Sequence, residues 1–285
     1  MCSSDLVRVL FISPESGTVV REVTIPDARG YDLALEVSAE AVFLAWLDDD
    51  AALQLARIPR AAATVERTTL PFGAAAFPAL SWNGSSLLVT WNTMREIIGS
   101  PMRLVPDAVR AARVSGTLTL LDATPVLLEA VEGAGAMDES APSAASDGQE
   151  WIVTWGVASS IRAARISDAG VRGTVSEIAH GEAPLVVRNG DRYSLAWSES
   201  IPPTGDLRRL FVADVVVADG RLGSTLPAVA SVTPFFGHVS SVAAGANRAV
   251  GVAWHSASAP EFDFQASFRI LGSFTGRRRS VRVPG

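Results

Sequence analysis

Trp151-Ile152-Val153-Thr154-Trp155 is a stretch of five residues that the chain repeats, with variation, at four other places. The other copies are Val42 to Trp46, Leu87 to Trp91, Tyr193 to Trp197 and Val250 to Trp254. Every copy ends on Trp, with Ala or Thr directly before it. Repetition of a short apolar pattern at long intervals indicates a fold built from repeated structural units.

Each copy, interpreted as a β-strand, has one bulky and one lean face. Successive side chains of a strand point to opposite sides of the sheet. The terminal Trp, the Leu or Val two positions before it and the apolar residue four positions before it therefore share a face, and the Ala or Thr lies on the other. We expect such sheets to stack with the bulky face of one on the lean face of the next, at ~10 Å.

Each Trp strand belongs to a longer unit of four predicted strands, named a, b, c and d, in which the Trp strand is b. Turn pairs such as Asn83-Gly84, Asp147-Gly148 and Asn189-Gly190 join a to b, because these residue types supply the positive φ of tight hairpins. Piece c reads, for example, Ile161-Arg162-Ala163-Ala164-Arg165-Ile166, and a turn containing Gly leads to d. Antiparallel units of four strands, repeated in this way, are typical of a β-propeller.

The predicted fold class is therefore all-β, a β-propeller of about six blades with the first only half present. The chain matches the repeat from Val7, where a piece c begins. We expect one propeller domain over 7–285, with blades at about 7–27 (half), 28–73, 74–135, 136–181, 182–237 and 238–285. Residues 1–6 resemble the translation of a sequencing adapter, so we expect them to be non-native and the genuine chain to be part of a longer gene.

Units reading Pro-x-Leu-Ser-Trp-Asn-Gly-Ser-Ser-Leu-Leu-Val-Thr-Trp, followed later by Ile-Arg-Ala-Ala-Arg-Ile-Ser-Asp-Ala-Gly, resemble the propeller repeats of large secreted or surface proteins of bacteria. That resemblance implies an extracellular or cell-surface location and carries no catalytic motif. The chain is superficially similar to sialidase-type propellers as well. Their Asp-box is missing, since Ser146-Asp147-Gly148 lies between a and b with the wrong spacing, so sialidase chemistry is not expected.

Composition excludes several classes of function. All 24 basic residues are Arg, so Schiff-base and lysine-base chemistry are excluded. A formal net charge of −6 and scattered arginines argue against nucleic acid as a partner. The run Arg277-Arg278-Arg279 with Arg282 is interpreted as a solvated edge strand. Cys2 is the single cysteine, so thiolate metal sites are not expected, and no apolar run is long enough to span a membrane.

The connections from b to c and from d to a emerge at one end of a propeller, here called the looped end. Long predicted loops gather there at 92–107, 129–139, 198–208 and 255–263, which suggests a binding face or neutral drift. His180, His238 and His255 all fall on this end, and Glu182 and His238 occupy nearly equivalent positions beside the expected central channel. They are candidates for ligand binding or for acid and base roles, against the alternative of unrelated polar loop residues.

Two further polar patterns have both a structural and a functional interpretation. The run Asp48-Asp49-Asp50 offers Asp48 and Asp50 as weak Ca²⁺ ligands, although its spacing favours a solvated turn, and no other cofactor is predicted. Arginines recur one residue before the last apolar position of c, at Arg57, Arg113, Arg165 and Arg269. They could line a groove for an acidic glycan. Their repetition favours a structural role instead, in which each guanidinium lies over a neighbouring Trp or pairs with a loop carboxylate.

Two functions from different classes remain. The leading expectation is a non-catalytic extracellular module that binds a glycan or a protein through its looped end, without catalytic residues. The alternative is a glycan-active hydrolase in which Glu182, His238 and His180 converge at the channel mouth.

Overall fold

The protein is built from β-strands. The computed structural model describes residues 7–13, 15–25, 31–62, 64–97, 103–130, 141–201, 207–234, 238–244, 250–258 and 263–271, and these ranges contain no helix. The strands are β1 (Val7–Ile12), β2 (Val19–Ile25), β3 (Tyr31–Val37), β4 (Ala41–Leu47), β5 (Ala52–Pro59), β6 (Glu66–Trp82), β7 (Ser86–Ile97), β8 (Arg103–Ser115), β9 (Val126–Ala130), β10 (Ser143–Ser146), β11 (Glu150–Val157), β12 (Ser160–Ser167), β13 (Ser176–His180), β14 (Glu182–Asn189), β15 (Arg192–Ile201), β16 (Leu207–Ala218), β17 (Arg221–Ser224), β18 (Ala228–Pro234), β19 (His238–Ala244), β20 (Val250–Ser258) and β21 (Asp263–Leu271).

These strands form antiparallel sheets in chain order, which confirms the predicted β-propeller. Blade 1 consists of β1 and β2, and blade 2 of β3, β4, β5 and the first part of β6. Blade 3 takes the rest of β6 with β7, β8 and β9; blade 4 is β10 to β13, blade 5 is β14 to β18, and blade 6 is β19 to β21. The extent of the domain and the limits of each blade in sequence stay predictions.

The tight turns between the first two strands of a blade follow the predicted chemistry. Gly84, Gly148 and Gly190 have φ of 102°, 99° and 66°, where a side chain would be strained. In blade 4, the Asp147 carboxylate accepts hydrogen bonds from the amides of Gln149 and Glu150 at 2.9 and 3.1 Å. Local turn chemistry therefore fixes the register of each b strand on its a strand.

Blades stack with the bulky face of one on the lean face of the preceding one, as predicted. Between blades 3 and 4, the cluster joins Trp151, Val153 and Trp155 of β11 to Leu88 of β7. Equivalent buried clusters join blade 2 to blade 1, blade 3 to blade 2 and blade 5 to blade 4. Burial of these apolar faces is the main stabilising contribution to the fold.

The innermost strands of consecutive blades also contact one another. The first strand of each blade contacts the first strand of the next, in the order β3, β6, β10, β14 and β19. The amide of Val186 on β14 donates to Ser143 Oγ on β10 at 3.0 Å. Strand β6 has two roles, because Glu66 to Thr69 pair with β5 of blade 2 and Ala75 to Trp82 pair with β7 of blade 3. It joins two blades into one sheet of seven strands.

The prediction of long loops from b to c was wrong for much of their length. Strand β7 continues past Trp91 to Ile97 and pairs with β8, where Arg95 lies opposite Val105. Strand β15 likewise continues past Trp197 to Ile201, and β20 continues past Trp254 to Ser258. Ladder pairing satisfies the backbone polar groups, so these segments extend the blade as hairpins.

Candidate functional site

The blades differ in height at the looped end. In blades 3, 5 and 6, the hairpins β7–β8, β15–β16 and β20–β21 project beyond the Trp position. In blade 4, β11 ends at Val157 and a tight turn follows, with Ala158 and Ser159 at φ of 50° and 63°. Blade 4 is thus a short blade between the projecting hairpins of blades 3 and 5. Its looped end, with the adjoining starts of β14 and β16, is the candidate site.

The innermost strands carry a repeated bulge at the looped end. Pairing is interrupted between Tyr31 and Ala34, between Ala76 and Ala79, and between Glu182 and Leu185. The residues inside these interruptions have positive φ, namely Asp32 at 54°, Phe77 at 52° and Ala183 at 51°. Bulges bend a strand and redirect its side chains, and they are frequent beside active sites. The residue that opens each bulge, such as Glu182, thus has the same backbone position in every one of these blades.

Glu182 is held in place within the candidate site by contacts with its neighbours. Its carboxylate forms an ion pair with Arg208 of β16, and the Arg208 guanidinium also lies 3.5 Å from Ser198 Oγ. Both side chains are largely shielded from solvent, so the pair is stronger than an exposed one. Nothing in the repeat pattern identified Arg208, because it belongs to the projecting hairpin of blade 5 and not to the repeated unit.

Gly181 allows the chain to reach Glu182. Its φ is 141°, and a Cβ there would lie 2.5 Å from both the Ser198 carbonyl oxygen and a ring carbon of Trp197. The Gly181 amide donates to the Ser159 carbonyl at 2.8 Å. Only glycine fits this close approach. The connection from β13 to β14 is therefore held by the Ser159 carbonyl on one side and packs against Trp197 and Ser198 on the other.

A second carboxylate lies at the boundary of blades 3 and 4. Glu129 of β9 accepts a hydrogen bond from Trp155 Nε1 at 2.7 Å and forms an ion pair with Arg162 of β12. Trp155 is fully buried, whereas Arg162 is about one-third exposed, so this group is accessible from one side. The sequence predicted only a loop at Glu129. The ion pair with Arg162 was not predicted, because it joins residues of two different blades.

The structure describes the three predicted histidines to different extents. His180 is exposed at the end of β13, and its carbonyl accepts a hydrogen bond from Trp197 Nε1 at 2.9 Å. It precedes Glu182 by two residues, so the structure brings these two predicted residues to one place. His238 pairs with His255, and Glu182 pairs with Ser198; both pairings involve the residue after the Trp, so the predicted equivalence of Glu182 and His238 holds in backbone register. The side chains of His238 and His255 lie outside the described residues.

The acidic run of blade 2 is occupied by its own turn. Asp48 Oδ1 accepts hydrogen bonds from the amides of Asp50 and Ala52 at 3.0 and 2.9 Å, and Oδ2 accepts one from Gln54 Nε2 at 2.6 Å. Asp49 and Asp50 are exposed. Among the described residues, no group of three or more His, Cys, Asp or Glu side chains could hold a metal ion. Weak Ca²⁺ binding at Asp48 and Asp50 stays a prediction.

The recurring arginines contact carboxylates of their own blades. Arg57 pairs with Glu66 at 2.9 Å, Arg113 with Asp122 at 2.6 Å and Arg165 with Glu150 at 2.7 Å. All three lie opposite the residue three positions before Trp. Arg269 differs from the predicted pattern, because it lies opposite Val252, two positions before Trp254. The sequence spacing in its c strand gave no sign of this shift of one residue in the backbone pairing.

Comparison with known proteins identifies the fold. No protein-family model matches the chain, and the comparison with curated proteins finds no match. Among solved structures, the chain is similar to a beta-fructofuranosidase from Bombyx mori, with a TM-score of 0.50 at 11% identity over 89% of this chain and 62% of that one. It is also similar to an endo-arabinanase from Bacillus licheniformis (0.48, 10%, 89% and 97%) and to an alpha-L-arabinanase from Cellvibrio cellulosa in complex with arabinohexaose (0.49, 12%, 88% and 95%).

At these identities the likeness shows the fold alone. The beta-fructofuranosidase, which has the TM-score of 0.50, is by name a carbohydrate-cleaving enzyme, and against this finding the leading expectation of a non-catalytic binding module is wrong. Within the described residues, no helix has the length and apolar character needed to cross a bilayer.

Proposed function

We propose that the protein is a glycan-active hydrolase whose reaction centre is the candidate site on blade 4. The observation that carries the proposal is the placement of Glu182, which opens a bulged inner strand, contacts Arg208 and lies two residues from the exposed His180. Hydrolysis of a glycosidic bond requires one group that protonates the leaving oxygen and a second that acts as base or nucleophile. The candidate site offers both kinds of group, His180 from blade 4 and Glu182 from blade 5.

Each residue has a defined role in this proposal. Glu182, ion-paired with Arg208, is the base or nucleophile, because those roles need the charged carboxylate. His180 is the proton donor, since a protonated imidazole carries a proton that it can transfer to the leaving oxygen. Glu129 and Arg162 contribute hydrogen-bonding groups for sugar hydroxyls on the blade 3 side. The projecting hairpins of blades 3 and 5 flank the substrate.

The fold and the resemblance of the repeats add support at a coarser level. The beta-fructofuranosidase that shares the fold is by name an enzyme of carbohydrate chemistry, although fold alone does not determine function. The resemblance to repeats of secreted bacterial proteins supports an extracellular or cell-surface location. A glycan is accordingly the proposed substrate.

The proposal is tested by the release of reducing sugar from a panel of arabinan, xylan, galactan and fructan. We expect the wild-type protein to cleave at least one of them and Glu182→Gln to lower kcat by about 100-fold or more. The matched control is Glu150→Gln, which removes a carboxylate that is also paired with an arginine, at the opposite end of blade 4. It should remain within about twofold of wild type.

Two results would contradict the proposal. Equal rates for the wild-type protein and Glu182→Gln would exclude the site, and the absence of product from every polysaccharide would exclude the activity on these substrates. His180→Gln separates the two roles, because a substrate with a nitrophenyl leaving group needs no proton donor; its cleavage should persist in His180→Gln and be lost in Glu182→Gln.

A further inference from the structure

The indole of Trp91 on β7 differs from the equivalent indoles of the two blades that follow. In blade 4, Trp155 Nε1 donates to Glu129 Oε2 at 2.7 Å, and in blade 5, Trp197 Nε1 donates to the His180 carbonyl at 2.9 Å. Trp91 is completely buried, yet its Nε1 has no hydrogen-bond partner among the described residues. A buried donor without an acceptor is costly and uncommon, so this position requires an explanation.

Blade 4 shows which group satisfies the indole in the complete arrangement. Arg162 lies directly opposite Trp155 in the sheet, so the two side chains are neighbours on one face. Glu129 of the preceding blade accepts the hydrogen bond from Trp155 Nε1 and forms an ion pair with Arg162. One carboxylate therefore satisfies two adjacent donors, an indole N–H and a guanidinium, in a charge-assisted arrangement.

Blade 3 has the same two donors without the carboxylate. Arg110 lies directly opposite Trp91, as Arg162 lies opposite Trp155, so its side chain is on the Trp91 face. The ion pairs and hydrogen bonds of the described side chains do not include Arg110. The boundary of blades 2 and 3 therefore presents an indole N–H and a guanidinium side by side, with no acceptor from the described part of the chain.

The position of Glu129 is taken by Pro71 in blade 2. Glu129 lies two residues after the residue of strand d that pairs with the arginine of blade 3, and Pro71 lies two residues after Thr69, which has that place in blade 2. Proline has no side-chain acceptor. The next residue, Phe72, stacks on the Trp91 ring with the centroids 5.2 Å apart and an angle of 6° between the planes. Phe72 thus covers the face of the indole and contributes no acceptor to its N–H.

We propose that the boundary of blades 2 and 3 binds a ligand carboxylate, and that an acidic sugar, a uronic acid, carries it. The ligand carboxylate takes the place that the Glu129 side chain has one blade further on, where it accepts from Trp91 Nε1 and pairs with Arg110. Arg110 is half-buried and thus in contact with solvent. Trp91 ends a b strand, so the site lies at the looped end, as the candidate site does. The sugar as carrier rests on the proposed function, whereas the carboxylate does not.

Isothermal titration calorimetry with galacturonate at neutral pH tests the site. This monosaccharide contains no glycosidic bond, so its binding is measured independently of any hydrolysis. We expect saturable binding to the wild-type protein. Galactose has the same ring without the carboxylate and should bind at least about tenfold more weakly, because it cannot form the charge-assisted contacts. Acetate, which has the carboxylate without the ring, distinguishes a sugar ligand from a small carboxylate.

Two substitutions change the site in different ways. Arg110→Gln removes the charged partner and should weaken galacturonate binding at least about tenfold. Pro71→Glu supplies a carboxylate at the position equivalent to Glu129, so it should abolish binding and raise Tm. The matched control is Arg192→Gln, because Arg192 is an arginine of blade 5 that pairs with Asp214 at 3.1 Å, away from this boundary. It should change galacturonate binding less than about twofold.

Circular dichroism first establishes that the variants keep the fold of the wild type. The proposal would be overturned if neither galacturonate nor acetate bound, if galactose bound as tightly as galacturonate, or if Arg110→Gln and Pro71→Glu both bound like wild type. Acetate binding as tight as that of galacturonate would confirm the carboxylate site and exclude the sugar as its carrier. None of these results depends on the polysaccharide assay, so failure here is distinct from failure of the proposed hydrolase.

Discussion

Strands β1 and β12 are the same element of the repeat in two blades, yet their apolar side chains have different surroundings. Ile166 near the end of β12 is completely buried, whereas Ile12 at the end of β1 is 57% exposed. The residues two positions earlier on the same faces show the same contrast, since Leu10 is exposed and Ala164 is buried. Residues on the other face of β1 behave normally, since Val9 is buried against blade 2.

The difference lies in the neighbouring sheet and not in the strand. Ile166 packs against blade 3 in the cluster that contains Trp151 and Leu88. Ile12 has the same position in its strand, but none of the described residues buries its side chain. The hydrophobic contribution of a residue is proportional to the area that it loses to its neighbours, so a repeated sequence gives repeated stability only where the next blade is in place.

The largest expected effect is the contrast between two identical substitutions. Ile166→Ala should lower the free energy of unfolding by about 3 kcal/mol, because it leaves a cavity in a closed interface. Ile12→Ala should change it by less than about 0.5 kcal/mol, as expected for an exposed position. Urea denaturation followed by tryptophan fluorescence measures both. Similar losses for the two variants would show that the face of β1 is covered in solution.

A second effect concerns Tyr193, which is 7% exposed in the closed interface of blades 4 and 5. Burial raises the pKa of Tyr193 to about 12 from an ordinary value of 10, and the nearby Asp147 adds to the shift. A pKa that is higher in the folded state means that stability is complete below pH 10 and is lost as the pH rises to about 12. The loss should be about 2 kcal/mol.

The chain is well suited to this measurement because it contains no lysine and only one other tyrosine, Tyr31. Unfolding free energies at pH 9 to 12 should fall for the wild-type protein and stay flatter for Tyr193→Phe. Ultraviolet absorbance at the phenolate band reports the titration directly. Ionisation of both tyrosines near pH 10 would show that the interface is open to water.

The smallest expected effect is a gain in stability. The buried hydroxyl of Thr154 has no hydrogen-bond partner among the described atoms, and the equivalent residues of blades 2 and 5 are Ala45 and Ala196. Thr154→Val should stabilise the protein by about 1 kcal/mol, since it removes an unsatisfied polar group at nearly constant volume. Thr24→Val on the exposed face of β2 is the control, with a change below about 0.5 kcal/mol. Equal changes in both variants would mean that water reaches Thr154.

The sequence predicted the features that depend on local pattern. Alternation in the Trp strands predicted the stacking of bulky on lean faces. The pairs Asn83-Gly84 and Asp147-Gly148 predicted the turns. Both signals lie within a few residues of sequence. The position of Glu182 was found by comparing repeats. Its partner Arg208, and the contact of Glu129 with Arg162, were not predicted, because these pairs depend on how hairpins and blades meet in space. The projecting hairpins were mistaken for loops because Arg95 and Glu96 interrupt the apolar alternation.

Strand β6 has a consequence for the order in which the molecule opens. Because Glu66 to Thr69 belong to blade 2 and Ala75 to Trp82 to blade 3, peeling either sheet pulls on a backbone that the other still holds. Blades 4 and 5, in contrast, belong to separate sheets that meet at Gly181. Blades 2 and 3 should therefore exchange their slowest amide hydrogens together, as one cooperative unit, while the later blades open one at a time.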